Sequence, residues 1–280
     1  MKKLSPQIAE TRARRLAQTA SACLIDEARL SPKPGLVDSR GNGAHQDLNL
    51  ALMERSARSL QPTFHALAQQ SWLRPADIAL REPVGRLGRE GEAQMMQATS
   101  GVNTHRGAIW ALGLLVSATA MLGGEGHAQR ITETAAALAR LPDAGAPKTF
   151  SKGLRASRRW QVPGAREEAQ RAFPHITTLA LPQLLRSRAA GASEEQARLD
   201  ALMAIMTSLS DTCVLSRAGM AGLEAMQQGA GEVLAAGGCA TVLGRAALAR
   251  LDAQMLAQNA SPGGAADLLA ATLFLDRVSA

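Results

Sequence analysis

Four short blocks rich in glycine and polar residues interrupt a chain that otherwise reads as alanine- and leucine-rich helix. They cover residues 31–38 running on to 43–47, then 101–107, 210–217 and 261–267. Between them no sustained period-two alternation occurs, and valine and isoleucine are scattered, so strands are not expected. Helical cores do not need such blocks. Glycine lets backbone N–H groups approach a ligand closely, and a loop opening a helix aims those groups at an anion. The blocks are spread over nearly the whole chain, so they can form one site only if it folds as a unit. The expectation is an all-α fold: one compact catalytic domain over residues 1–280 with a buried central helix.

Periodicity and caps place the helices. Residues 6–29 alternate basic and apolar positions at helical spacing, and Pro32 and Pro34 then force an extended loop. Two helices, 46–60 and 62–72, are expected to meet at Pro62. A helix over 86–99 ends at Ser100-Gly101, and Asn103 or Thr104 can cap the next. Further helices are expected at 128–140, 165–172, 174–189, 193–209, 211–228, 239–258 and 262–277. Ser193 with Gln196 forms a capping box, and Ser261 with Pro262 fits an N-cap and N1 pair. Residues 141–164, rich in Pro, Gly, Lys and Arg, read as a loop or lid.

Residues 107–124 carry no charge over 18 positions, near the lower limit for a membrane span. Their glycine, serine, threonine and alanine content suits a helix enclosed by a large core instead. The N-terminus is basic and lacks the apolar segment of a secretory signal, and the three cysteines form no CxxC pattern. Both features point to a cytoplasmic protein without a membrane segment. Three Trp, four Phe and no Tyr argue against stacking of nucleic-acid bases. Part of the net charge of +7 is local, at Arg12, Arg14 and Arg15 and at Lys148, Lys152, Arg155, Arg158 and Arg159. Most of these read as a solvated face, and together they would gather polyanions.

The blocks carry the candidate chemistry. Lys33 and Asp38 stand on a proline-stiffened loop, with His45 and Asp47 where the following helix is expected to begin. Asp47 and Glu54, seven apart, would share a helix face. A lone Asp47 is explained by a helix dipole, whereas the cluster pairs a phosphate-binding cation with carboxylates able to hold Mg²⁺ or act as bases. Glu92 is directed along its helix toward the turn that holds Asn103 and His105. His105 and Arg106 fall in a first helical turn, which disfavours cations unless an anion is bound. Asp211 is explained by capping alone, whereas Thr212 and Arg217 are not. Gly263 and Gly264 weaken a helix start, which close approach to a phosphate would explain.

Together the segments KPGLVD, GAHQD, GEAQMMQATSGVNTHRGAIW, GAREEAQRAFP, SDTCVLSR and NASPGGAADLLAATLFL resemble, in order and register, the triphosphoribosyl-dephospho-coenzyme A synthase family. The resemblance covers about residues 24 to 277 and is closer to members serving malonate decarboxylase than to those serving citrate lyase. Three positions depart from the family pattern: Arg106 stands where Lys is usual, Cys213 where Asn is common, and Ala172 where Gly precedes Phe173-Pro174.

The resemblance implies a pentosyl transfer. ATP keeps its triphosphate, adenine leaves the anomeric carbon, and the 2′-hydroxyl of 3′-dephospho-CoA replaces it with inversion. The product then passes to a phosphoribosyl-dephospho-CoA transferase and the acyl carrier subunit. Such a step needs a base, help for the leaving group and stabilisation of an oxocarbenium-like state. The expected phosphate ligands are Lys33, His105, Arg106 and Arg217, with N–H groups of Gly263 and Gly264. Asp38, Asp47 and Asp211 are Mg²⁺ or base candidates, Glu92 is a base or oxocarbenium stabiliser, and His45 assists adenine. A homodimer is compatible with the chain. Alternatives are a Mg²⁺-dependent helical N-ribosyl hydrolase and a non-catalytic scaffold binding RNA.

Overall fold

The computed structural model describes residues 6–146 and 152–279. Among them are α1 (Pro6–Arg29), α2 (Leu50–Ser59), α3 (Gln61–Ser71), α4 (Ile78–Ala98), α5 (Arg106–Met121), α6 (Ala128–Arg140) and α7 (Lys152–Trp160). After them come α8 (Ala165–Gln170), a π-helical turn (His175–Ala180), α9 (Leu181–Ala189), α10 (Glu194–Met206), α11 (Thr212–Ala235), α12 (Val242–Ala257) and α13 (Gly263–Val278). No strand occurs among the described residues, where the ladder-like pairs are isolated bridges such as Asp38 with Gly41. The fold is all-α.

The uncharged run forms α5, buried continuously from Ala108 to Ala120 apart from Trp110 at its rim. It packs against α1, α3, α4, α6, α8 and α13, which explains why no face of it needs charge. Among the described residues no helix is long and apolar enough to cross a membrane. One apolar core runs from Ala13 on α1 to Leu275 on α13, built mainly from Ala and Leu. These small side chains let helices approach closely without aromatic bulk.

Several boundaries differ from the expected ones for local reasons. Asn49 caps α2 by accepting from Leu52 N at 2.8 Å, so the helix starts at Leu50 and Asp47 lies in the loop before it. Asp47 and Glu54 therefore share no helix face. Asp77 caps α4, which begins well before residue 86 and contains Pro83. Ser261 does not cap α13, because its hydroxyl meets His45; Pro262 takes the cap position. The segment 141–164 holds α7, whose buried Ala156 and half-buried Trp160 lie four apart, and the helix packs on α11. Lys148 lies outside the described residues. The capping box of Ser193 and Gln196 is present.

Candidate functional site

The heads of α5, α11 and α13 converge, and two aspartates join them. Asp211, 1% exposed, caps α11 by accepting from Cys213 N at 2.8 Å and Val214 N at 3.2 Å. Its second oxygen accepts from Ala265 N at 2.9 Å, and the Gly264 N–H faces the same carboxylate. Asp267 crosses from α13 to the head of α5, where the Ala108 N–H donates to it. Gly107 makes this crossing feasible: a Cβ there would fall 2.1 Å from Asp267 Oδ2.

The loop between α1 and α2 covers this junction. Asp38 organises it by accepting from Lys33 N at 2.9 Å and Arg40 N at 2.7 Å, while Arg40 also grips it with its guanidinium. Arg40 reaches on to Asp252 of α12 at 2.9 Å, and Asp252 accepts from Gly35 N at 3.0 Å. Gly35 has φ 65° and lies so close to Ala260 O that a Cβ would come within 2.3 Å. Only glycine suits that backbone. Burial acts upward on the Asp38 carboxyl, but the Arg40 guanidinium and the two N–H donors outweigh it and hold the group below its usual range.

Beneath the loop lies a buried polar cluster. Lys33, 1% exposed, donates its ammonium to the Glu27 carboxylate and, at 2.6 Å, to Glu27 O. Burial pushes the Glu27 carboxyl upward, and Lys33 draws it back. His105 is buried, with Nδ1 2.7 Å from Ser56 Oγ, and Ser56 Oγ also meets Thr104 Oγ1 at 2.6 Å. His105 Nε2 is buried without a hydrogen-bond partner. Burial and then the Lys33 charge lower its pKa to about 4, so the imidazole is neutral at pH 7.

Two charged groupings flank the junction. Arg106 Nε meets Glu92 Oε2 at 3.0 Å, joining α4 to α5. Asn103 Oδ1 accepts from Arg106 N at 3.3 Å and so supports the head of α5. On the other flank Arg217 donates to Ala44 O at 3.0 Å and meets His45 Nδ1 at 2.9 Å. His45 Nε2 lies 2.8 Å from Ser261 Oγ, which ties this flank to the start of α13. Burial, then the Arg217 charge, lowers the His45 pKa. A polar cavity of about 540 Å³ opens here, lined by His45, Asp47, Arg217 and Asn259 among others. A second cavity, about 420 Å³, lies beyond the loop between α10 and α12 and includes Arg40, Leu248 and Leu256 in its wall.

The sequence candidates thus fall into three groups. Glu92, Arg106, His45 and Arg217 stand at the flanks with their side chains partly open. Lys33, His105, Asp38 and Asp211 are buried within the scaffold. Gly263 and Gly264 do not present free N–H groups outward: Gly263 N donates to Ser261 O at 3.0 Å and Gly264 N faces Asp211. Asp38, Asp47 and Asp211 do not fit a shared Mg²⁺ ion. The first and third have their oxygens engaged by N–H and guanidinium donors, and Asp47 is an exposed carboxylate beside His45. Among the described residues no three His, Cys, Asp or Glu side chains gather as a metal site.

Residue-type reasoning missed Glu27, Ser56, Arg40 and Asp252, and it assigned no role to Asp267. Glu27 had a readable signal. It continues the stripe Ala20, Cys23 and Leu24 at helical spacing, so a carboxylate falls on the buried face of α1.

Comparison with known proteins gives four findings. A family model described as ATP:dephospho-CoA triphosphoribosyl transferase matches residues 13–280. A 2-(5″-triphosphoribosyl)-3′-dephosphocoenzyme-A synthase of Klebsiella pneumoniae is 86% identical over 279 residues, covering 100% of both chains. A relative from Stutzerimonas stutzeri is 59% identical, covering 100% of this chain and 97% of its own. A crystal structure of a protein from Archaeoglobus fulgidus shares the fold at a TM-score of 0.52 and 18% identity, covering 80% of this chain and 97% of that one.

Proposed function

The chain belongs to the ATP:dephospho-CoA triphosphoribosyl transferase family of enzymes, and on that premise we propose that it transfers the triphosphoribosyl unit of ATP to the 2′-hydroxyl of 3′-dephospho-CoA and releases adenine. The observation that carries this reading is the convergence of three helix heads, flanked by Arg106 on one side and Arg217 on the other. The N–H groups at those heads serve Asp211 and Asp267, so the two partly open guanidinium groups are the donors left for a polyphosphate.

The residues divide the work. Arg106 and Arg217, at the open flanks, receive phosphate oxygens. Lys33 stays within the scaffold, where it holds Glu27. An incoming phosphate competes with Glu92 for Arg106 and frees the Glu92 carboxylate to take the acceptor hydroxyl proton. The same negative charge steadies the oxocarbenium-like state. His45, neutral and held between Ser261 and Arg217, orients the nucleotide at the second flank. Mg²⁺ would be carried by the triphosphate, which needs one or two protein carboxylates at most, and the exposed Asp47 is placed to supply one. The product is the precursor that a phosphoribosyl-dephospho-CoA transferase attaches to the acyl carrier subunit of malonate decarboxylase, or of citrate lyase. On this reading the transferase acts in the cytoplasm.

The test is mass spectrometry of the products from ATP, Mg²⁺ and 3′-dephospho-CoA. The expected product has the mass of both substrates less adenine, with one adenine released per product. Adenine released equally without the acceptor, and no coupled product, would favour N-ribosyl hydrolysis instead.

A further inference from the structure

Asp267 lies one turn into α13 and differs from Asp211, the buried aspartate of the junction. Both oxygens of Asp211 are taken up by N–H groups at two helix heads, and the residue is 1% exposed. Asp267 is faced by the Ala108 N–H and keeps part of its surface open. It is wedged against Gly107, where any side chain would collide with Oδ2. Two residues before Gly107, the buried Nε2 of His105 has no partner. A glycine that makes room for a partly open carboxylate at the head of α5 leaves that carboxylate with a single N–H donor. Burying polar groups without full pairing costs stability.

We infer that Asp267 is the proton donor to the departing base. The inference rests on the transfer reaction proposed above. As the C–N bond at the anomeric carbon breaks, its electron pair stays with the base. Asp267 gives its proton to a ring nitrogen, and neutral adenine leaves. The 2′-oxygen of the acceptor forms the new bond to that carbon, and its proton passes to Glu92. Exchange with water then moves a proton from Glu92 to solvent and one from solvent to Asp267.

The surroundings favour the protonated carboxyl. Burial, then the negative charges of Glu27 on α1 and Asp211 at the head of α11, push Asp267 well above the ordinary aspartate range. The Ala108 N–H at the head of α5 offsets this only in part. Lys33 is held by Glu27, His105 is neutral, and Arg106 on α5 is paired with Glu92.

The experiment compares ATP with 7-methyladenosine triphosphate, whose base departs neutral without taking a proton. In Asp267→Asn, turnover relative to wild type should fall about 100-fold or more with ATP, but less than about threefold with the methylated nucleotide. Equal losses on both substrates, or none on ATP, would overturn the inference. The wild-type enzyme gives a second reading that needs no variant. Turnover of ATP should decline on the alkaline side as Asp267 ionises, and turnover of the methylated nucleotide should not. The same alkaline decline with both, or with neither, would also refute it. Failure of the underlying reading shows differently, as a wild-type enzyme that makes no coupled product from ATP.

Discussion

Arg106 Nε stands 3.0 Å from Glu92 Oε2, so an ion pair ties the C-terminal half of α4 to the head of α5. The two side chains are 41% and 35% exposed. Pairs of that exposure contribute little to stability, and a triphosphate is a stronger partner for the guanidinium. Glu92→Gln should therefore lower adenine release about 100-fold or more while leaving the unfolding free energy within about 1 kcal/mol of wild type. Steady-state turnover and denaturant unfolding of the same preparation check both halves.

Asp211 acts on the fold instead. Its carboxylate serves N–H groups at the heads of both α11 and α13. Asp211→Ala removes two caps and leaves buried donors unpaired, which should cost about 2–4 kcal/mol. Urea unfolding at neutral pH reads that loss directly, and activity should fall with it because both helix heads frame the site.

Ala172 has φ 63° and is followed by Phe173 at φ 55°. An alanine in the left-handed region carries a cost that glycine avoids. Ala172→Gly should stabilise the chain by about 1 kcal/mol, seen as a higher urea midpoint with an unchanged slope.

His105 makes stability depend on pH. Its folded pKa of about 4 lies below the ordinary 6.5, chiefly through burial and then through Lys33. Between those values the unfolded chain binds the proton more readily, so stability falls as pH drops through that window. Above it the contribution is fully present. Wild type should lose about 2 kcal/mol more than His105→Gln on moving from pH 7 to pH 5. The difference between the two proteins isolates this group from the carboxyls that titrate nearby.

Helix positions were legible because periodicity and caps are local. Ser193 with Gln196 opens α10, and the uncharged run becomes the enclosed α5. Boundaries moved where a nearer cap set the start, at Asn49 and Asp77, and the Ser261 cap failed because its hydroxyl meets His45 from another block. The site was legible as a set of blocks and not as a set of roles. Asp38, Asp211 and Lys33 look equally suited to a ligand in sequence, yet their partners are Arg40, Ala265 and Glu27. Two of those partners lie on other elements of the fold. Glu27 was passed over because an acidic residue near the end of an amphipathic helix normally faces water, although its place on the Ala20, Cys23 and Leu24 stripe marked it as buried.

The most direct test of the account is a crystal structure with 3′-dephospho-CoA and a non-transferable ATP analogue bound. The triphosphate should lie against Arg106 and Arg217 and the ribose between Glu92 and Asp267, at the junction of α5, α11 and α13. Both nucleotides lying in the groove between α10 and α12, with that junction unchanged, would contradict it.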